Sequence, residues 1–261
     1  MRKESLSILR SPKTHEHLQL KLENGKEVLA SEKSAERFII KDGIPLFLSD
    51  DDISGLNKKY QKMYDRMAPF YDLYEKILTM FMRVDQGKIR GQFLNELEIK
   101  DGSSVLEVSM GTGLNFKFLP GTANYYGVDI SWKMLKKCQK NLKKWKMDAE
   151  LFRCEAENLP FGDESFDVVF HVGGINFFND KTRAIKEMVR VAKPGTKFVI
   201  VDETEKHTKT VYEKTPLMDK FYKNTGENLS VPVASVPAGM LDVQVKNVWG
   251  GRFYCLTFRK P

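Results

Sequence analysis

The stretch 105-VLEVSMGTGLNF-116 decides the reading of this 261-residue chain. Val105 to Val108 are strand-forming residues that carry one acid, Glu107, and run straight into Ser109-Met110-Gly111-Thr112-Gly113. Glycines at such a place let the backbone turn sharply and come close to a ligand. A helix is expected after Gly113, its first amides free to face that ligand. A Gly-x-Gly turn also closes ordinary loops, so its neighbours must identify the ligand.

Three of them do. A dinucleotide fingerprint wants a small residue three positions beyond Gly113, and Phe116 stands there. Glu107 beside the turn suits a cationic amino-acid group better than a diphosphate, and no Gly-Lys-Ser/Thr follows to hold a nucleotide phosphate. Asp129 ends the next strand candidate, where a carboxylate can accept both hydroxyls of a ribose. These features describe a nucleoside with a zwitterionic tail and no phosphates, and S-adenosylmethionine fits.

Working outward, strand candidates alternate with helix candidates. SSVLEV, NYYGVDI, AELFRC, FDVVFHV and TKFVIVDE are rich in Val, Ile, Phe and Tyr. Between them lie the helix after Gly113, the lysine-rich SWKMLKKCQKNLKKWKM and DKTRAIKEMVRVAKPG. The last of these turns Ala184, Ile185, Met188, Val191 and Ala192 inward and stops at Pro194-Gly195. The alternation predicts five parallel strands covered on both faces. LDVQVKNVW and RFYCLTFRK flank Gly250-Gly251, and a two-residue loop there predicts a terminal antiparallel hairpin.

Upstream, residues 56–99 read as helical, aromatic-rich in MYDRMAPFYDLYEKILTMFM and broken near Pro69, with Ile89, Phe93, Leu94 and Leu97 on one later face. Residues 1–50 read as short strands joined by tight turns, at Asn24-Gly25 in HLQLKLENGKEVLA and at Asp42-Gly43 in RFIIKDGIPLFL. Acidic SDDDIS marks a linker. The net charge is +7, and seven lysines fall in residues 131–147. Leu135, Cys138, Leu142 and Trp145 recur there at helical spacing, so the lysines form the solvated face of a sheet-packing helix. No aromatic-basic alternation of the kind that stacks bases accompanies them. Three well-separated cysteines form no disulfide framework and suit a reducing, cytoplasmic setting. No apolar run is long enough to span a membrane, and the N-terminus has no signal core.

From about Lys59 to Lys260 the chain resembles the class I S-adenosylmethionine-dependent methyltransferases, especially the ubiquinone/menaquinone biosynthesis group. The matching segments are MYDRMAPFYD, VLEVSMGTGLNF, GVDISWKML, CEAENLPFGDESFDVV and MVRVAKPGTKFVI. The resemblance implies an α/β, Rossmann-like fold whose seven-stranded, mostly parallel sheet ends in an antiparallel hairpin. It also implies that Gly111, Thr112 and Gly113 border the methionine moiety, that Asp129 holds the ribose, and that Glu155 and Ala156 flank the adenine. His171 and Val172 would line the pocket and Tyr71 would close over the cofactor; Glu107, Ser109, Ile130, Met134 and Glu157 complete the expected set. Ser109 stands where the group has its first glycine, and Glu155 where Asp or Asn is usual.

Residues 1–50 resemble the short zinc ribbon that precedes some of these domains. Its Cys-x-x-Cys knuckles read Ser11-Pro-Lys-Thr14 and Ser31-Glu-Lys-Ser34 here, followed by Gly43-Ile44-Pro45. Hydroxyls are poor substitutes for thiolates, and His15 and His17 alone do not rebuild a site, so no metal is expected. The expected organisation is thus a ribbon-like segment at 1–50 and a catalytic domain at 56–261. The latter comprises a helical cap at 56–99, a cofactor core at 103–203, a substrate segment at 204–240 and a hairpin at 241–260.

Methyl transfer is an in-line displacement, so alignment and exclusion of water matter most. His171, at a strand end, is the expected general base, with Tyr71 beside it; Asp202 and Glu203 are second candidates, and Tyr64 could orient a substrate. TKTVYEKTPLMDKFYKN, a helix bearing Val211, Tyr212, Leu217, Met218, Phe221 and Tyr222, and the loop SVPVASVPAGM are expected to roof an apolar pocket. The expected acceptor is a small apolar or aromatic molecule, such as a quinone precursor or another natural product. The competing readings are a methyltransferase of RNA or protein using the basic surface, and a non-catalytic cofactor-binding scaffold. Of other partners, no DNA is expected, RNA is not favoured, and peripheral membrane contact is compatible with the sequence.

Overall fold

In a computed structural model, residues 1–81, 83–208 and 230–261 are described, and a second sheet sits beside the first. Alternation of apolar side chains builds β1 (Leu18–Glu23) and β2 (Lys26–Ser31), joined at Asn24-Gly25, where φ is +50° and +72°. Positive φ at both positions matches the right-handed twist of the strands, which is why Asn-Gly serves here. Asp42 and Gly43, at +51° and +77°, likewise join β3 (Arg37–Lys41) to β4 (Ile44–Pro45). The four strands form an antiparallel sheet in the order β1-β2-β3-β4. The chain's first residues are not all extended: α1 (Lys3–Ile8) precedes this sheet.

The cap consists of α2 (Gly55–Met67), α3 (Tyr71–Phe81) and α4 (Gln86–Leu94), with the break near Pro69 where expected. The large sheet contains β5 (Ser104–Val108), β6 (Asn124–Asp129), β7 (Ala149–Arg153), β8 (Val168–Val172) and β9 (Lys197–Glu203), then β10 (Leu241–Val248) and β11 (Phe253–Arg259). Its order is β10-β11-β9-β8-β5-β6-β7, with β5 to β9 parallel and β10 and β11 antiparallel. The chain leaves β5 for β6 on one side and later enters β8 on the other. Their carboxyl ends therefore diverge into the crevice where ligands bind in such sheets.

Two helices cover the parallel strands as their periodicity predicts. In α5 (Trp132–Trp145), Met134, Leu135, Cys138 and Leu142 are buried beneath the lysine face. In α6 (Lys181–Val191), Ala184, Ile185, Met188 and Val191 are buried. The helix expected after Gly113 does not form; a single 3-10 turn covers Phe116–Phe118. Pro120 follows at once and cannot continue a helix, and the Asn115 side chain is drawn aside to Glu107. The terminal hairpin turns through residues 249–252 rather than through the two glycines alone, because Trp249 stacks on Phe253 (5.1 Å, 15°) and its amide donates to Gln92 Oε1 at 2.7 Å.

The two sheets share one core. Phe47 donates its amide to the Arg153 carbonyl at 2.9 Å, and Leu46 bridges Arg153 in parallel, so the small sheet is fastened to β7. Arg10 donates to the Pro160 carbonyl at 2.9 Å and Gly162 to that of Ile8 at 2.7 Å. A chain of rings runs from Phe38 through Phe47, Phe152 and Phe161 to Phe166, with centroids 4.9–6.5 Å apart. The acidic segment 49–54 is docked as well: Ile53 is buried, and Asp50 pairs with Arg153, whose Nε also donates to the Ile130 carbonyl at 3.0 Å.

The segments 11–14 and 31–34, which resemble the ribbon's knuckles, are joined by hydrogen bonds. Ser11 Oγ accepts from the Lys13 and Thr14 amides, and Ser31 Oγ from those of Lys33 and Ser34. Glu36 Oε2 accepts from Thr14 Oγ1 at 3.0 Å and from Ser34 Oγ at 3.4 Å, while Ser31 Oγ donates to Glu16. His15 and His17 point to solvent. Among the described residues, no helix is long and apolar enough to cross a membrane.

Candidate active site

A cavity of about 340 Å³ opens at the carboxyl ends of β5, β6, β8 and β9, beneath α2 and α3. One half is the glycine turn. Ser109, Gly111 and Gly113 all have positive φ, at +56°, +57° and +73°. A Cβ on Gly113 would stand 2.6 Å from Cys138 Sγ, whereas one on Gly111 would meet only open space, so Gly111 leaves its backbone bare to a ligand. Ser109 holds the same left-handed conformation with a Cβ, which strains it.

Around the turn the polar groups suit the nucleoside with a cationic tail. Asp129 is buried; its Oδ2 accepts from the Gly111 amide and its Oδ1 from that of Ser131, both at 2.8 Å. A carboxylate offers about four lone-pair sites, so capacity is left for a hydroxyl donor. Burial pushes the Asp129 carboxyl up to about 6 against the backbone hydrogen bonds from Ser131, Gly111 and Ile130. Glu107 is fully buried; Asn115 Nδ2 donates to its Oε1, and its Oε2 has no partner. Burial pushes Glu107 up to about 8, a cost that a cationic group nearby would remove. Thr112 Oγ1 is likewise buried without a partner.

The two Tyr-Asp pairs of the cap act in the same way. Tyr64 and Tyr71 face the cavity, their rings meeting edge to face at 6.4 Å. Their following acids hold the helices down. Asp65 Oδ1 accepts from Ser131 Oγ at 2.5 Å and from the Lys133 amide at 3.1 Å at the start of α5. Asp72 Oδ2 accepts from Asn141 Nδ2 at 2.8 Å, which also donates to the Thr112 carbonyl at 3.0 Å. Burial raises the Tyr71 phenol well above its ordinary value, so it stays a neutral donor.

The expected residues divide. Tyr71, Ser109, Gly111, Thr112, Asp129, Ile130, Met134 and Val172 line the cavity. Glu107 and Gly113 stand behind the turn. Glu155 and Glu157 stand behind Asn57 of α2, whose Nδ2 donates to Glu155 Oε1 at 3.3 Å and to Glu157 Oε1 at 3.2 Å; Ala156 between them is buried. His171 is not a wall. Alternation along β8 turns Val172 to the cavity and the His171 ring to the other side, where it is fully buried and edge-on to Phe178. Its Nδ1 donates to the Val108 carbonyl at 2.8 Å, its Nε2 has no partner, and burial lowers its pKa.

The second candidates also separate. Asp202 is committed to the loop after β8, accepting from the Gly174 amide at 3.1 Å and from the Asn176 amide at 3.4 Å. Glu203 faces the cavity and accepts from Thr208 Oγ1 at 3.1 Å. The other half of the cavity is apolar and aromatic, with Tyr74, Ile89, Phe93, Val248, Trp249 and Phe253. The loop expected to roof it does not: Val231, Val236 and Met240 pack on the core, and Ser235 Oγ hydrogen-bonds Thr182 Oγ1 of α6 at 2.8 Å. The helix expected around Val211 to Tyr222 lies outside the described residues. Sequence reasoning missed Asn57, Glu75, Arg90 and Trp249. Only the amphipathic pattern of α2 and α3 hinted at the first two.

Comparison with known proteins identifies the family. A family model described as a methyltransferase domain matches residues 106–200. A demethylmenaquinone methyltransferase of Thermotoga maritima is 33% identical over 161 residues, covering 60% of this chain and 67% of that one. A phthiotriol/phenolphthiotriol dimycocerosates methyltransferase of Mycobacterium tuberculosis is 40% identical over 104 residues, covering 39% of this chain and 38% of that one. This chain thus spans about two thirds of the first relative and well under half of the second. Among solved structures, a Thermotoga maritima protein described as an S-adenosylmethionine-dependent methyltransferase has a TM-score of 0.56 at 23% identity, covering 76% of this chain and all of that one.

Proposed function

Because the chain belongs to the class I S-adenosylmethionine-dependent methyltransferases, we propose that it methylates a small apolar or aromatic acceptor of the quinone-precursor kind. The observation that carries this is the continuity of the cavity from Gly111 and Asp129 to the wall of Trp249, Phe253 and Phe93. One end suits a nucleoside and the other suits a flat apolar ring. The relatives' names, a demethylmenaquinone methyltransferase and a phthiotriol/phenolphthiotriol dimycocerosates methyltransferase, support an acceptor of the same character.

The residues fit the cofactor. Asp129 would take the ribose hydroxyls, and Gly111 and Thr112 would face the amino-acid portion, with Glu107 behind them. Bound there, S-adenosylmethionine supplies an electrophilic methyl group on a sulfonium, which leaves as a neutral thioether. Much of the protein's part is positional: Tyr64 and Tyr71 close the cap side, and the apolar wall keeps water from the reacting atoms. Incubation with S-adenosylmethionine and a panel of reduced naphthoquinones and benzoquinones, read by mass spectrometry, tests this. The expected product gains the mass of one methylene. Turnover of RNA or peptide but of no quinol would overturn it.

A further inference from the structure

The apolar half of the cavity ends in charged groups that neither cofactor binding nor apolar packing requires. Glu75 of α3, Arg90 of α4 and Glu203 at the end of β9 all line it, beside the Tyr71 ring. Arg90 Nη2 stands 3.9 Å from Glu75 Oε2, and Arg90 Nη1 donates to Asn115 Oδ1, so this guanidinium is bound on two sides. Glu203 has a different environment. Among the described residues, the groups that act on it are the carboxylates of Asp202 and Glu75 and the hydroxyl of Thr208. Of Glu75 and Glu203, the first is compensated by a cation and the second, among the described residues, by the Thr208 hydroxyl.

A carboxylate placed so has a use when the bound ring carries a hydroxyl. We propose that Glu203 accepts the hydroxyl proton of a phenolic or quinol acceptor, with Glu75 and Arg90 as the pair that positions that end of the ring. The inference rests on the aromatic acceptor proposed above. The acceptor's O–H bond breaks, the proton moves to a Glu203 carboxylate oxygen, and the electron pair stays on the acceptor's oxygen and spreads into its ring. That makes the acceptor nucleophilic beside the methyl donor: its oxygen or ring carbon would bond to the methyl carbon as the methyl–sulfur bond breaks, that bond's electron pair would stay on sulfur, and a methylated ring carbon would then lose its proton to water. Burial, with Asp202 and Glu75 close by, pushes Glu203 up to about 7 against the bond from Thr208. A base poised there accepts a proton at neutral pH and can release it to water afterwards. Asp202 also lines the cavity, but its oxygens already accept from the Gly174 and Glu203 amides and from Asn176, and His171 is not among the lining residues, so neither competes for this role.

The test uses ligand binding to the full chain saturated with S-adenosylhomocysteine, with 2-naphthol and naphthalene as probes. They share a ring system and differ in the hydroxyl. We expect 2-naphthol to bind roughly tenfold or more tightly, the scale of a hydrogen bond to a charged group. Its fluorescence should show naphtholate emission, because excited 2-naphthol gives its proton to an acceptor within hydrogen-bond reach. In Glu203→Gln the tenfold advantage and the naphtholate emission should both vanish, with affinity for naphthalene and for S-adenosylhomocysteine unchanged. Glu203→Asp should restore part of the emission. Equal affinity for the two probes, or naphtholate emission that survives in Glu203→Gln, overturns the assignment. If neither ring binds while S-adenosylhomocysteine does, the aromatic acceptor itself is wrong, and the role of Glu203 fails with it.

Discussion

Asn57 and Asn179 bind each other reciprocally: the Asn57 amide donates to Asn179 Oδ1 at 3.3 Å, and the Asn179 amide donates to Asn57 Oδ1 at 3.2 Å. The Asn57 side chain also satisfies Glu157, a carboxylate whose burial raises its pKa. One residue thus joins the start of α2 to the loop before α6 and to the segment after β7. Replacing Asn57 by Ala should cost about 2 kcal/mol, since its side chain's bonds to Glu155, to Glu157 and from the Asn179 amide all go. Asn57→Asp should cost more, because it sets a third carboxylate beside Glu155 and Glu157. Urea denaturation reads both, and calorimetry should show weakened S-adenosylmethionine binding in each.

Ser109 gives the opposite expectation. A residue with a Cβ held at φ +56° carries strain of about 1–2 kcal/mol that glycine does not. Ser109→Gly should therefore raise thermal stability, by about 2 °C or more for a chain of this size, and leave cofactor binding at least as tight. A lower melting temperature would show that the Ser109 hydroxyl makes a compensating bond.

Glu107 makes stability depend on pH. Its folded pKa of about 8 lies above the ordinary 4.5, so between those values the folded chain holds a proton that the unfolded chain has lost. Stability without cofactor should accordingly fall as pH rises from about 4.5 to about 8, and level off above that. Glu107→Gln should flatten this slope. S-adenosylmethionine, whose ammonium favours the ionised acid, should release protons on binding at pH 7, visible as a dependence of the calorimetric heat on the buffer's ionisation enthalpy.

The knuckles predict a restored metal site. The native chain should carry no stoichiometric zinc by elemental analysis, because its ligand positions hold hydroxyls. Ser11 and Ser31 already receive two backbone amides each, the environment that stabilises a thiolate. The combined Ser11→Cys, Thr14→Cys, Ser31→Cys and Ser34→Cys variant should take up about one zinc per chain. Failure to bind zinc would mean that Glu16 and Glu36 hold the turns in another geometry.

Much of this architecture can be read from local pattern, and the exceptions have physical causes. Val168 to His171 and Phe198 to Val201 are continuous buried runs, as a sheet covered on both faces requires. Asn24-Gly25 announces its own turn. Phe116 to Phe118 mislead, since helical propensity after a glycine turn says nothing of Asn115 being drawn to Glu107 and Arg90. His171 ends a strand, as a base would, but one step of alternation separates it from the cavity. Glu75, Arg90 and Glu203 are ordinary charged residues in sequence, more than a hundred positions apart at their extremes. Only the closing of the cap over β9 makes them neighbours.

The fastening of the small sheet to β7 has a consequence for the order in which the chain folds. Leu46 cannot find Arg153, nor Arg10 find Pro160, until most of the intervening chain has taken shape. Contacts between such distant segments close slowly, because the loop entropy is lost before the contact forms. Until they close, β7 offers its unpaired backbone, and Phe152 lacks the Phe47 ring that covers it. This late-completed seam is where newly made chains would associate with one another rather than with themselves.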